Sequence, residues 1–323
     1  MKKVLFATTA LVAFAGAASA DITLSGSAEM GIVNGDTIAN TGVVTARDAQ
    51  FHTDIDVTFT MSGTTDAGLT FGASVDLDEG GAQAAHNDDA DDGGATIFIS
   101  GNGYTLTMGD TDGGFDWGMA EVPAGPGSID GAHEGLGWNG NGGEDGTYDG
   151  QIVSLTTTVG GLGVAVSAEI DDTAGAAGGD AVLGLGLRYS VGDFNLGAGY
   201  QSHSTAANVE TTVSGISVGT TMNGISIGVN YSNTEVSNDV DDVTHFAIGM
   251  SYSVDAWSFG VNYGAYDNVG HVANDEVSSI GVSAAYDLGG GASVQFGAAS
   301  SDATIGGVNT DATRASLGLS MSF

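Results

Sequence analysis

Carboxylates are the commonest chemistry-bearing side chains in this 323-residue sequence, and they crowd into one stretch. Between Gly109 and Gly150 stand Asp110, Asp112, Asp116, Glu121, Asp130 and Glu134, followed by Glu144, Asp145 and Asp149. Acids at this density attract cations and raise their local concentration. Few side chains can oppose them. Arg47, Arg188 and Arg314 are permanently charged, and His52 and His245 gain charge only near pH 6.5, roughly. Asp54 and Asp56 add acids outside the stretch.

Reaction chemistry finds no comparable constellation, and no enzyme is expected. The six histidines, at 52, 86, 133, 203, 245 and 271, show no metal-ligand spacing. Two Gly-x-Ser-x-Gly matches, 215–219 and 224–228, lie in alternating segments with no following helix, so neither has the strand-turn-helix setting of a nucleophile elbow. Gly289-Gly290-Gly291 precedes no lysine and reads as a turn rather than a phosphate loop. The run His86-Asn87-Asp88-Asp89-Ala90-Asp91-Asp92 reads first as a solvated acidic face. Its oxygen ligands would also suit Ca²⁺.

The elements that must position these residues are strands. The first 20 residues carry a basic start (Lys2, Lys3), an apolar run and a small-residue site, Ala18-Ser19-Ala20, which together predict a cleaved signal peptide. The expected mature chain, 21–323, keeps three arginines and no lysine against 40 acids, a formal charge of −37. That charge argues against nucleic acid as a partner. Cysteine is absent. No apolar run is long enough for a transmembrane helix, but barrel strands carry only a weak alternating signal.

That signal runs through the chain. In 47–62, Phe51, Ile55, Val57, Phe59 and Met61 alternate with His52, Asp54, Asp56, Thr58 and Thr60. Sixteen such segments are readable, from 21–33 to 312–323, and they are separated by alternately short and long connections. Asn223-Gly224 marks one tight hairpin. The long connections include 34–46, 300–311 and, longest, 109–150. All short turns then lie at one end and all long loops at the other. Charges in mid-strand (Asp54, Asp56, Glu169, Arg188, Arg314) need solvent on the second face, which a water-filled lumen supplies and an apolar core would not. Aromatics gather at two levels. Tyr104, Trp257, Phe259, Tyr286 and Phe323 lie near the short-turn end, and Phe51, Tyr200, Tyr231, Phe246 and Tyr263 near the other, like the girdles of a membrane barrel.

The expected fold is therefore all-β. It is a 16-stranded antiparallel transmembrane β-barrel with short periplasmic turns, long external loops and a third loop, about 109–150, folded inward to narrow the pore. Apolar residues of that loop (Phe115, Trp117, Met119, Val122, Ile129, Leu136, Trp138) speak for order rather than disorder. Arg47, His52, Asp54, Asp56, Arg188, His245 and Arg314 are the expected pore-wall residues.

The chain resembles the Rhodobacter-type general porins. The resemblance lies in Ala18-Ser19-Ala20, in the opening Asp21-Ile22-Thr23-Leu24-Ser25-Gly26, in 106–113 leading into the long loop, and in the final Met321-Ser322-Phe323. It implies a trimeric, water-filled diffusion channel in the outer membrane of a Gram-negative bacterium. No required cofactor is implied. Calcium near the constriction loop is, with Asp110, Asp112 and Glu121 as candidate ligands. The terminal Phe323 looks like the address read by the barrel-assembly machinery. The family sets acids on the loop against a basic cluster on the facing wall. Three arginines are a small cluster, so the sequence points to weak cation selectivity for small hydrophilic solutes and ions. Two alternatives compete: a secreted acidic calcium-binding β-roll or adhesin, and a substrate-specific barrel channel.

Overall fold

The computed structural model describes residues 21–39, 41–80, 94–129, 131, 133, 135, 143–148, 150–171, 179–205 and 207–323. The expected signal segment 1–20, the acidic run 86–92, and Asp130, Glu134, Leu136 and Trp138 lie outside them.

Sixteen antiparallel strands close into one barrel. They are β1 (Asp21–Gly35), β4 (Gln50–Thr64), β5 (Thr70–Gly80), β6 (Ala95–Gly101), β7 (Tyr104–Gly109), β8 (Ile152–Val159), β9 (Leu162–Glu169) and β10 (Val182–Val191). They continue as β11 (Phe194–Ser204), β12 (Glu210–Met222), β13 (Ile225–Val236), β14 (Val243–Val254), β15 (Trp257–Asp267), β16 (Glu276–Gly289), β17 (Ala292–Ile305) and β18 (Val308–Ser322). Each strand pairs with its sequence neighbours, and β1 closes the ring against β18, with Met30 opposite Leu319. The first outer loop adds a ribbon of two-residue strands, β2 (Thr37–Ile38) and β3 (Val44–Thr45).

Polarity is inverted relative to a water-soluble sandwich. Phe51 and Ile216 stand 84% and 63% exposed on the outside, while Asn230 and Asn262 are 1% and 2% exposed on the inside. Apolar side chains outward and polar side chains inward suit a barrel solvated by lipid. Pairing is complete around the ring, so no backbone edge meets the bilayer.

Two expectations change. Arg47 does not start the second barrel strand, which begins at Gln50. Arg47 lies in the first outer loop, where its amide donates to Asp36 Oδ1 at 2.9 Å. The connection 300–311 is not a long loop. β17 and β18 continue in register to Ile305 and Val308, joined by Gly306-Gly307 with φ of +58° and +76°. That is the left-handed backbone a two-residue hairpin turn needs. Ser, Asp, Thr and Asn dominate this stretch because the strands run on beyond the apolar band.

Inside the outer mouth, along β15–β18, sits a small apolar core. Ile38 from β2 packs with Tyr266, Val269, Val277, Ala303 and Ala312. Tyr266, Val277 and Ala303 are register neighbours on three consecutive strands. The first outer loop thus folds inward over one side of the mouth.

Candidate pore constriction

The described residues of 110–133 enter the barrel and run along its inner wall. The segment opens with a short helix, α1 (Gly114–Gly118). Phe115, Met119, Val122 and Ile129 are at most 2% exposed. Phe115 and Met119 pack on Val213 of β12, and Ile129 on Val33 of β1.

Wall side chains satisfy the loop's backbone groups strand by strand. Ser167 of β9 accepts from Gly114 N at 2.6 Å, and Ser217 of β12 from Ala120 N at 2.9 Å. Asn230 of β13 donates to Ala120 O at 3.3 Å, and Ser283 of β16 to Ala124 O at 2.8 Å. Asn262 of β15 donates to His133 O at 2.8 Å, and Glu29 of β1 accepts from Ile129 N at 2.6 Å. A buried backbone without such partners would be costly, and these pairs fix where the loop lies.

Inward glycines on successive strands make the close approach feasible. A side chain at Gly199 would meet Phe115, and one at Gly215 would meet Met119. At Gly228 and Gly249 it would meet Pro123, at Gly260 Ala124, at Gly281 and Gly297 His133, and at Gly318 and Gly31 Ile129. These glycines form a trough running from β11 around to β1. Its sequence signal was available: a glycine at the inward phase of successive strands. In a chain with 55 glycines it reads as composition instead.

The end of the loop is clasped by carboxylates. Glu169, at the outer end of β9, is 2% exposed and accepts the amides of Gly146, Tyr148 and Gly150 at 3.1, 3.0 and 2.9 Å. Asp145 accepts from Gly113 N at 2.7 Å and Gln201 Nε2 at 2.5 Å, joining the loop's two ends. Burial pushes Asp145 up to about 6. Burial likewise raises Glu144, whose carboxylate lies 3.3 Å from His203 Nδ1. Asp116 is raised by burial and by neighbouring Asp112. Burial, with Arg314 nearby, brings His133 down to about 4.

The arginines take places that the sequence did not disclose. Arg314 Nη2 donates to Gly131 O, and Arg188 Nη2 to Met119 O at 3.3 Å with its guanidinium 4.7 Å from the Trp117 ring centroid. Both touch the loop itself rather than facing it across the lumen. His52 is 4% exposed, with Nε2 3.5 Å from Glu29 Oε2. His245 is buried, stacked on Tyr266 at 4.3 Å in the apolar side of the mouth.

Acids hold the arc of wall next to β1. On β4 and β5, Asp56 stands opposite Asp78, and Asp54 and Asp76 are inward neighbours. Ser27 donates to Asp56 at 2.5 Å and Thr58 to Asp76 at 2.7 Å. On the loop, Asp110, Asp112 and Glu121 are exposed. They are not brought together. Among the described residues, the metal-capable atoms lying within 4.8 Å of one another belong to Glu29, His52 and Asp54.

Known proteins place this architecture. A family model described as Gram-negative porin matches residues 7–306. The chain belongs to the Gram-negative porins. It is similar to the porin of Rhodobacter capsulatus, with 29% identity over 314 residues, covering 87% of this chain and 95% of that one. A porin structure refined at 1.8 Å aligns with a TM-score of 0.69 at 21% identity, covering 94% of this chain and all of that one. A triple mutant of Rhodopseudomonas blastica porin aligns at 0.65 and 18%, with the same coverage. As a Gram-negative porin barrel, the protein resides in the outer membrane.

Proposed function

We propose that this porin is a passive diffusion channel for small hydrophilic solutes and ions, with a preference for cations. The observation that carries the reading is the seating of residues 113–129, 131 and 133 along the wall from β9 to β1, much of it on the glycine trough. A loop held this way narrows the lumen without filling it, and leaves the passage along β4–β8. That passage is bordered by Asp54, Asp56, Asp76 and Asp78 on the wall and by Asp110, Asp112, Asp116 and Glu121 on the loop. Rings of carboxylates favour cations. Arg188 and Arg314, engaged with loop carbonyls, act as positioning residues for the loop. The chain is expected to act as a homotrimer, with Phe323 serving its assembly.

Liposome swelling with sugars of graded size tests diffusion directly. Swelling that falls smoothly with solute size is expected. Uptake of one solute, with exclusion of others of its size, would overturn the general-diffusion reading in favour of a substrate-specific channel.

A further inference from the structure

Glu29 and Asp54 stand directly opposite each other on the paired strands β1 and β4. Like charges so placed are destabilising, and the pair calls for a positive charge beside it. His52 lies two residues before Asp54, on the same face of β4 and opposite Gly31. Its side chain is 4% exposed, and that of Glu29 is 9% exposed. His52 Nε2 is 3.5 Å from Glu29 Oε2. That exceeds the ordinary N–H···O distance of about 2.7–3.2 Å. It is close to the separation of two ligands on one tetrahedral ion, roughly 3.3 Å when each bond is about 2.0 Å. Among the described residues, one donor atom from each of Glu29, His52 and Asp54 lies within 4.8 Å of the other two. The loop adds a further feature of a metal site. Ile129 N donates to Glu29 at 2.6 Å, and a hydrogen bond of this kind from outside the ligand set orients a ligating carboxylate.

We propose that Glu29, His52 and Asp54 form a binding site for a divalent transition cation of the Zn²⁺ type. One imidazole nitrogen with two carboxylates suits such an ion, whereas Ca²⁺ and Mg²⁺ take sites built of oxygen alone. Three protein ligands leave a fourth position to water or to a solute group. Asp54 is only half-buried and continues along β4 to Asp56, so the ion reaches the site from the acidic passage. Because Glu29 also holds Ile129, binding of the ion and seating of the loop reinforce each other. The site goes beyond the diffusion-channel reading and does not depend on it.

The test is a calorimetric titration of ZnCl₂ into the full-length folded protein in detergent, stripped of metals by a chelator and held in excess CaCl₂ to fill diffuse acidic sites. One saturable Zn²⁺ site per chain is expected. His52→Gln and Asp54→Asn should each weaken it at least about tenfold, the cost of losing even an outer-shell partner. His203→Gln alters another histidine near a glutamate, with Nδ1 3.3 Å from Glu144, and should leave the affinity unchanged. Anomalous diffraction at the zinc edge, from crystals of the natural protein soaked in ZnCl₂, should place the ion between Glu29, His52 and Asp54. That peak decides the matter if a variant fails to fold. Zn²⁺ bound no better than Ca²⁺, an affinity unmoved by both His52→Gln and Asp54→Asn, or an anomalous peak only elsewhere would overturn the site. His52 would then serve the two acids as a protonated counter-charge. None of these readouts needs conduction, so failure of the site and failure of the channel reading are told apart.

Discussion

Glu29 of the first strand accepts the amide proton of Ile129 at 2.6 Å, tying the start of the barrel to a loop residue 100 positions further along the chain. The far end of the inward segment is therefore anchored as firmly as its root. Glu29→Ala removes the acceptor and leaves the buried Ile129 amide unsatisfied, at a cost of about 1–3 kcal/mol. Single-channel recordings of this variant should show added current noise from a loosened loop. Glu29→Gln, which keeps an acceptor oxygen, should be quieter than Glu29→Ala.

The glycine trough predicts a different failure. A side chain at Gly281 would occupy the place of the His133 carbonyl and its Asn262 partner. Gly281→Leu should lift the loop into the passage and roughly halve conductance, an overpacking cost of about 1–3 kcal/mol being met by moving the loop rather than the wall. Gly219→Leu, also on an inward face but with only the Ile227 carbonyl at 3.6 Å from its added Cβ, should conduct normally.

Acid should release the loop at its β16–β17 contact. His133 titrates near 4 when seated and near its ordinary 6.5 when released, so its folded value is depressed. Released loop binds more protons, and the seated state therefore loses stability as pH falls through 6.5 toward 4. Between pH 7 and 5.5 the protection of the Ile129 amide against hydrogen exchange, corrected for intrinsic rate, should drop roughly eightfold. His133→Gln should flatten that dependence. Asp145, raised to about 6 at the other end, works in the opposite direction: its seated contribution grows as pH falls below 6. The two ends of the loop should then diverge, with the Gly113 amide gaining protection over the interval in which Ile129 loses it.

Glu169 accepts three amides and carries the clasp at the loop's return. Glu169→Gln keeps one acceptor oxygen of two and should raise exchange at Gly146, Tyr148 and Gly150 about tenfold, the scale of one charge-assisted bond. Unchanged exchange at all three amides would show that the return is held elsewhere.

Much of this architecture was legible because barrel strands write their orientation into every second residue. Phe51, Ile55 and Phe59 outward with Asp54 and Asp56 inward fix the face of β4 directly. The outer reach of β17 and β18 was not legible, since beyond the apolar band Asp302, Thr304, Asn309 and Asp311 share a polar face while the small Ala303 and Ala312 are buried on the other, the reverse of the pattern within the band. The roles of the arginines were hidden for another reason. A positive charge in sequence does not say whether its partner is a solute or a backbone carbonyl, and Arg314 binds Gly131. The trough was hidden by chemistry as well: a glycine placed for close approach and a glycine placed for a turn look alike until the approaching chain is seen.

The proposed cation preference rests on the acids along the passage. Replacing Asp54, Asp56, Asp76 and Asp78 together by asparagine removes the four aspartates of β4 and β5 without touching the loop's hydrogen bonds. The direct measurement is the zero-current potential of the channel in a planar bilayer across a tenfold KCl gradient, for the natural protein and this variant. The natural channel should show a cation-selective potential, and the variant should move it toward zero. An anion-selective or null potential in the natural channel, or an unmoved potential in the variant, would contradict the assignment of the acidic arc as the ion path.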